Sequence, residues 1–194
     1  MLKNIIIAVV LIGGILLLTL FYKKSSFNLK SDTLVLQTPK NKVVYPYKSV
    51  KSDVKNFSNV SITQYTLTGN KEKLIYEVAT INGLYEFNGN PKDIILKLFD
   101  AKNIKTLFSK NGLEAVEVTL ANDKKINLFF LQTDNKKVEF LYGLSNSLFE
   151  KSIKELSGKD IKLHDRDIFL VSKPITMWSS KVNDIDGVIG SIDH

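Results

Sequence analysis

The chain contains no cysteine, and Arg166 is the one arginine among its 27 basic residues. Without a thiol there is no disulfide framework, no thiolate metal site, no iron–sulfur ligand and no cysteine nucleophile. Two histidines, His164 and His194, cannot make a three-histidine site, so neither a metal nor any other cofactor is expected. No dinucleotide fingerprint and no phosphate-binding glycine loop occurs. Lysine is a strongly hydrated point charge that lacks the planar fork arginine offers to phosphates and guanines. The basic excess therefore favours solubility, and no nucleic-acid partner is expected.

What the chain does have is an apolar run from Ile5 to Tyr22 that carries no charge and is closed by Lys23 and Lys24. As a helix, at about 1.5 Å per residue, it reaches roughly 27 Å, enough to cross a bilayer core of about 30 Å with Tyr22 in the interface. A cleaved secretory signal is the competing reading. It fits less well, because signal cores hold about 7 to 15 apolar residues and end in a small-x-small site, which Leu16 to Tyr22 does not supply. No cysteine follows that could carry a lipid. Residues 1–24 are therefore expected to be a single-pass signal-anchor in the cytoplasmic (inner) membrane, with membrane lipid as partner of residues 5–22. The short tail ahead of the run places the large domain on the periplasmic or extracytoplasmic side, since long domains translocate regardless of their lysines.

Residues 25–59 are polar, with short β-prone runs at Thr33 to Gln37 and Val43 to Tyr47 around Pro39 and Pro46. The two runs admit edge strands or an extended strap laid on the domain, and the segment as a whole is expected to be a tether with short extended segments that lets the domain stand off the membrane by about 33 Å if fully flexible. Residues 60–194 are expected to be one α+β globular domain, an antiparallel β-sheet with two or three helices packed on it. Val60 to Thr68 and Leu74 to Ile81 alternate apolar and polar residues across Gly69-Asn70-Lys71, and Gly83 to Phe87 adds a short strand. Asn90-Pro91-Lys92-Asp93 combines an N-cap, proline at the first helical position and an acid in the first turn, predicting a helix that Asn103 ends. Asn111-Gly112 signals a type I′ hairpin. Strands at Leu113 to Leu120, Ile126 to Leu131 and Val138 to Tyr142 make a second meander. Ser147 with Glu150 has capping-box spacing for a helix stopped at Gly158. The shared pattern of strands followed by a helix, in 60–103 and 104–158, is an architectural habit, since the spacings do not match residue for residue.

From Pro174 a last helix is predicted, with Ile175, Trp178, Val182, Ile185, Ile189 and Ile192 on one stripe at steps of three and four. Such a stripe closes a core or binds a partner, and a second copy of the chain is an admissible partner.

Catalytic patterns are weak. Gly143-Leu144-Ser145-Asn146-Ser147 lies between strand and helix as a nucleophile elbow does, but Ser147 stands where the second glycine is needed, so Ser147 is better read as a helix cap. His164 with Asp165 and Asp167 resembles an acid–base cluster, yet neighbours on a strand face opposite ways. Asp184-Ile185-Asp186-Gly187 matches only the middle of a calcium loop. Lys124-Lys125 and Lys136-Lys137, at successive hairpin turns with Phe129, Phe130, Phe140 and Tyr142 in the strands, are expected along one edge, lysines solvating turns and aromatics filling the core. The expectation is therefore a non-enzymatic accessory or scaffolding protein of a bacterial cell-envelope assembly, such as a secretion, flagellar-motor or respiratory complex. It would act by contact with other envelope proteins through a sheet edge or the final helix. The alternative is a membrane-anchored module that holds a lipid or small apolar ligand between sheet and helices.

Overall fold

The computed structural model describes residues 24–56, 59–87, 90–163 and 189–191. Strands take up 57% of them, so the domain is mostly β, which corrects the α+β expectation. The strands are β1 (Ser26–Leu29), β2 (Thr33–Gln37), β3 (Lys42–Pro46), β4 (Ser49–Asn56), β5 (Val60–Thr68), β6 (Lys73–Ile81), β7 (Tyr85–Phe87), β8 (Ala101–Lys110), β9 (Leu113–Leu120), β10 (Lys125–Asp134), β11 (Lys137–Tyr142) and β12 (Ile189–Ser191). Among the described residues there are two helices, α1 (Pro91–Leu98) and α2 (Asn146–Ser157). Neither is long and apolar enough to cross a membrane, and the apolar run 5–22 lies outside the described residues.

A seven-stranded antiparallel sheet in the order β4-β5-β6-β11-β10-β9-β8 forms the centre. Two meanders meet at β6 and β11, where Leu141 stands opposite Tyr76 and Phe140 opposite Glu77. Because side chains alternate across a strand, each strand of the joint feeds two cores. Ile75, Ala79, Phe140 and Tyr142 face a layer closed by Ile94 and Ile95 of α1 and by Phe99. Tyr76, Leu141, Phe129 and Leu131 face the other side, against Phe149, Ile153 and Leu156 of α2 and the small sheet β1-β2-β3. With both faces buried, the central strands are continuous apolar runs, Phe129 and Phe130 among them. The two helices lie on opposite faces. A rotation carrying β6 onto β11 would put both on one face, so the two halves are not symmetric copies.

Residues 25–59, expected as a tether, hold four strands. Phe27, Leu34, Leu36, Val43 and Tyr45 are buried in the second core, which is why these short runs are apolar. Asn41 Nδ2 donates to Leu156 O at 3.0 Å and the Tyr45 hydroxyl to Ser152 Oγ at 2.9 Å, locking the small sheet to α2. Ser25 is itself buried, its Oγ donating to Lys110 O at 3.0 Å. The described residues are thus packed into the fold from Ser25 onward, so 25–56 do not form a flexible stand-off.

Helix α1 starts as expected, the Asn90 side chain accepting from Lys92 N. It ends at Leu98, short of Asn103, because Asp100 turns into the left-handed region (φ 48°) and Ala101 opens β8. Asn111 and Gly112 take positive φ (49° and 82°), as the I′ hairpin requires. The last predicted helix cannot run through Ile189, which lies on β12 opposite Phe87 of β7.

Candidate functional site

The most polar buried groups sit at the β6–β11 joint. Glu77 and Glu139 are each 2% exposed, on opposite faces of the sheet. The Tyr142 hydroxyl donates to Glu77 Oε2 at 3.1 Å, joined by Gln64 Nε2 at 3.2 Å. On the other face the Tyr76 hydroxyl donates to Glu139 Oε1 at 2.5 Å, Thr133 Oγ1 to Oε2 at 3.2 Å, and Lys137 Nζ lies 3.0 Å from Oε1. Burial pushes both tyrosine hydroxyls far above the usual range, and the adjoining carboxylates push the same way. Each tyrosine is thus held protonated as a donor. Both carboxylates are engaged inside packed layers, so this arrangement ties the two strands together.

The elbow-like stretch from Gly143 to Ser147 is a helix cap with a different serine in the role. Ser145 is the N-cap of α2: its Oγ accepts from Leu148 N at 3.3 Å and donates to Glu72 Oε1 at 2.9 Å. Ser147 lies one position inside the helix, with its Oγ 3.3 Å from that of Ser145. Glu150, expected to close a capping box, instead accepts from Leu163 N. Both serines give the same residue-type signal, and only the extended backbone at Ser145 decides between them. Beside this cap a cleft of about 450 Å³ opens, lined by Val44, Tyr45, Tyr47, Leu74, Leu148 and Glu72 among others. His164, Asp165, Arg166 and Asp167 lie outside the described residues, as do Asp184 to Gly187. Among the described residues no group of three His, Cys, Asp or Glu could hold a metal.

The lysine pairs do not share an edge. Successive turns of a meander fall at opposite ends of the strand between them, so Lys124-Lys125 and Lys136-Lys137 sit at the two ends of β10. Lys125 Nζ is 2.6 Å from Glu117 Oε1, and Lys136 Nζ donates to Gly83 O at 3.0 Å. Phe129, Phe130, Phe140 and Tyr142 are all buried and offer no stacking platform. Of the stripe residues, Ile189 is in a strand, while Ile175, Trp178, Val182, Ile185 and Ile192 lie outside the described residues.

The remaining candidate is an edge. The central sheet ends at β8 on one side and β4 on the other. Strand β8 is broken by register shifts at Ala101/Asn103 and Thr106/Phe108, which twist an edge away from further pairing. Strand β4 is different: it pairs with β5 over its whole length without a shift, from Ser49 opposite Thr68 to Asn56 opposite Ser61. All its residues are exposed, including Val50 (44%) and Val54 (53%). Among the described residues, β4 has β5 as its single neighbour in the sheet, so its outer row of N–H and C=O groups is open to another strand. Sequence reasoning missed this edge because a strand exposed on both faces has no apolar alternation. The one signal was Val50 and Val54 bracketing Lys51-Ser52-Asp53. No known protein family, curated protein or solved structure matches the chain.

Proposed function

We propose that the protein is a single-pass, membrane-anchored accessory or scaffolding subunit of a bacterial cell-envelope assembly, working by protein–protein contact rather than by catalysis. The observation that carries this reading is β4, a fully exposed edge strand with two exposed valines that pairs without a register shift, on a sheet whose central strands are well buried. An edge of this kind binds an extended segment by backbone pairing, with side chains setting the choice of partner. The buried start of the fold at Ser25 supports a domain seated close to the bilayer, since residues 5–22 would end only a few residues earlier. Pull-down of the tagged full-length chain from its own membranes in mild detergent, with crosslinking and mass spectrometry, tests the reading. A stoichiometric protein partner crosslinked to β4 is expected, and recovery of the chain with lipid alone would overturn it. A reporter that is active only outside the cytoplasm, fused after His194, tests the orientation; an inactive but stable fusion would reverse it.

A second reading, a module for a lipid or small apolar ligand, is favoured by the cleft beside α2, whose volume falls in the range of ligand sites. Mass spectrometry of the purified protein decides it. A bound lipid lost on Leu148→Arg would support a ligand module, and a protein that carries nothing would count against it.

A further inference from the structure

We propose that the partner of β4 is a second copy of the chain, paired antiparallel with Ser52 on the two-fold axis. The proposal rests on the reading of β4 as a contact edge and names its occupant. Along an edge strand the backbone groups point outward at every second residue, so a strand can pair with its own copy only in registers that match residues of the same parity. With Ser52 on the axis, Val50 faces Val54 of the second copy, and Lys51 faces Asp53. The two-fold axis repeats both contacts.

Neighbouring registers are poorer. Centring on Asp53 sets that carboxylate against itself and Lys51 against Lys55, and centring on Lys51 sets lysine against lysine and Val54 against Lys48. Like charges directly opposite one another are destabilising. Centring on Val54 keeps Asp53 against Lys55 but pairs only the second half of the strand.

The faces agree as well. Val50 and Val54 stand opposite Leu67 and Thr63 of β5, and Ser52 opposite Tyr65, so the valines of both copies extend one apolar strip past Tyr65. Lys51 and Asp53 stand opposite Thr66 and Gln64 on the other face. A two-fold axis through such a joint is perpendicular to the sheet and keeps its faces. Both copies therefore turn the β1-β2-β3 layer, where the fold begins at Ser25, to the same side, and two anchors can reach one bilayer.

The absence of cysteine makes a clean test. In the full-length protein in detergent, Ser52→Cys puts two sulfurs within disulfide reach across the axis, because opposed antiparallel residues lie about 4.5–5.5 Å apart. Lys55→Cys, on the same exposed strand, leaves its copies about 20 Å apart at roughly 3.4 Å per residue. Oxidation is expected to link Ser52→Cys at least about tenfold more than Lys55→Cys. Equal linking at both positions overturns the register. Asp53→Lys is expected to weaken self-association about tenfold, and adding Lys51→Asp to restore it; a double variant as weak as the single also overturns the register. A protein that stays monomeric while a photocrosslinker at position 52 reaches another polypeptide overturns the homodimer and leaves β4 a contact edge. A monomer without any adduct overturns both.

Discussion

Three tyrosines make the stability of this domain fall steeply in alkali. Tyr45, Tyr76 and Tyr142 are 2%, 5% and 2% exposed, and their hydroxyls donate to Ser152 Oγ, Glu139 Oε1 and Glu77 Oε2. Burial raises all three well above the usual value near 10. A group whose folded pKa is raised contributes its full stability below the unfolded pKa and loses it as pH climbs towards the folded one. Above about pH 10 the unfolded chain releases a proton from each of these tyrosines and the folded chain keeps it. Each tyrosine then costs about 1.4 kcal/mol per pH unit, or about 4 kcal/mol per unit for the three. Two units cost about 8 kcal/mol, comparable with the whole stability of a domain, so cooperative unfolding is expected between about pH 11 and 12. Circular dichroism and tyrosinate absorbance, followed together against pH, measure it. The three buried hydroxyls should ionise only as the strand signal is lost, and Tyr142→Phe should cut the tyrosine share of the slope by about a third. Ionisation of all the described tyrosines near pH 10 with an unchanged dichroism spectrum would refute the reasoning.

Chemical denaturation of four further variants checks the packing. Phe149→Ala removes a fully buried ring whose centroid lies 4.7 Å from that of Phe129 and should cost about 3–5 kcal/mol; a loss under about 1 kcal/mol would mean that α2 does not close that core. Ser145→Ala should cost about 1 kcal/mol through the lost cap, whereas Ser147→Ala should be near neutral. The reverse order would restore Ser147 as the cap. Gly112→Ala places a Cβ 3.0 Å from Gln132 O at a φ of +82°, and a loss of about 1–3 kcal/mol is expected. An unchanged midpoint would exclude the left-handed conformation there.

Local signals in this chain announced local structure and failed where the fold depends on distant partners. Val60 to Thr68, Asn90 before Pro91, Asn111-Gly112 and Gly158 carry their own geometry, and all stand where their residue types place them. The runs that become β2 and β3 are legible as β-prone, but their burial is not, because what buries them, α2 and the far strands of the central sheet, comes some eighty or more residues later; Ser25 reaching Lys110 and Asn41 reaching Leu156 are the plainest cases. The helix ending at Leu98 was overextended because Ala101 to Ser109 carries few apolar residues at either period, as befits a bulged edge strand with little burial. The residues of β4 read as polar linker for the same reason. The site was least legible of all, because an interaction edge is defined by what the rest of the sheet leaves unpaired, which no window of sequence contains.

The open edge and the buried Tyr–Glu pairs are two consequences of one topology. A sheet assembled from two meanders must be joined along strands that no short turn connects, here β6 and β11. Apolar residues alone would tolerate a slip of two positions along that joint, since such a slip keeps every side chain on its face. The crossed pairs do not. Tyr142 reaches Glu77 and Tyr76 reaches Glu139 each two positions along from the residue directly opposite, so a slip in either direction moves one of the two pairs to four positions apart and takes the tyrosine donor from one buried carboxylate. A buried carboxylate stripped of its donors costs more than the apolar contacts regained, which gives the polar joint its specifying role. Joining the meanders in the middle also carries the first strand of each to the outside. Strand β8 meets that exposure with two bulges, whereas β4 meets it with alternating charge and two valines. An edge that only needed protection would carry lysines throughout or a break in its register. Asp53 two residues from Lys51 instead makes the strand complementary to its own reverse, as the proposed self-pairing requires.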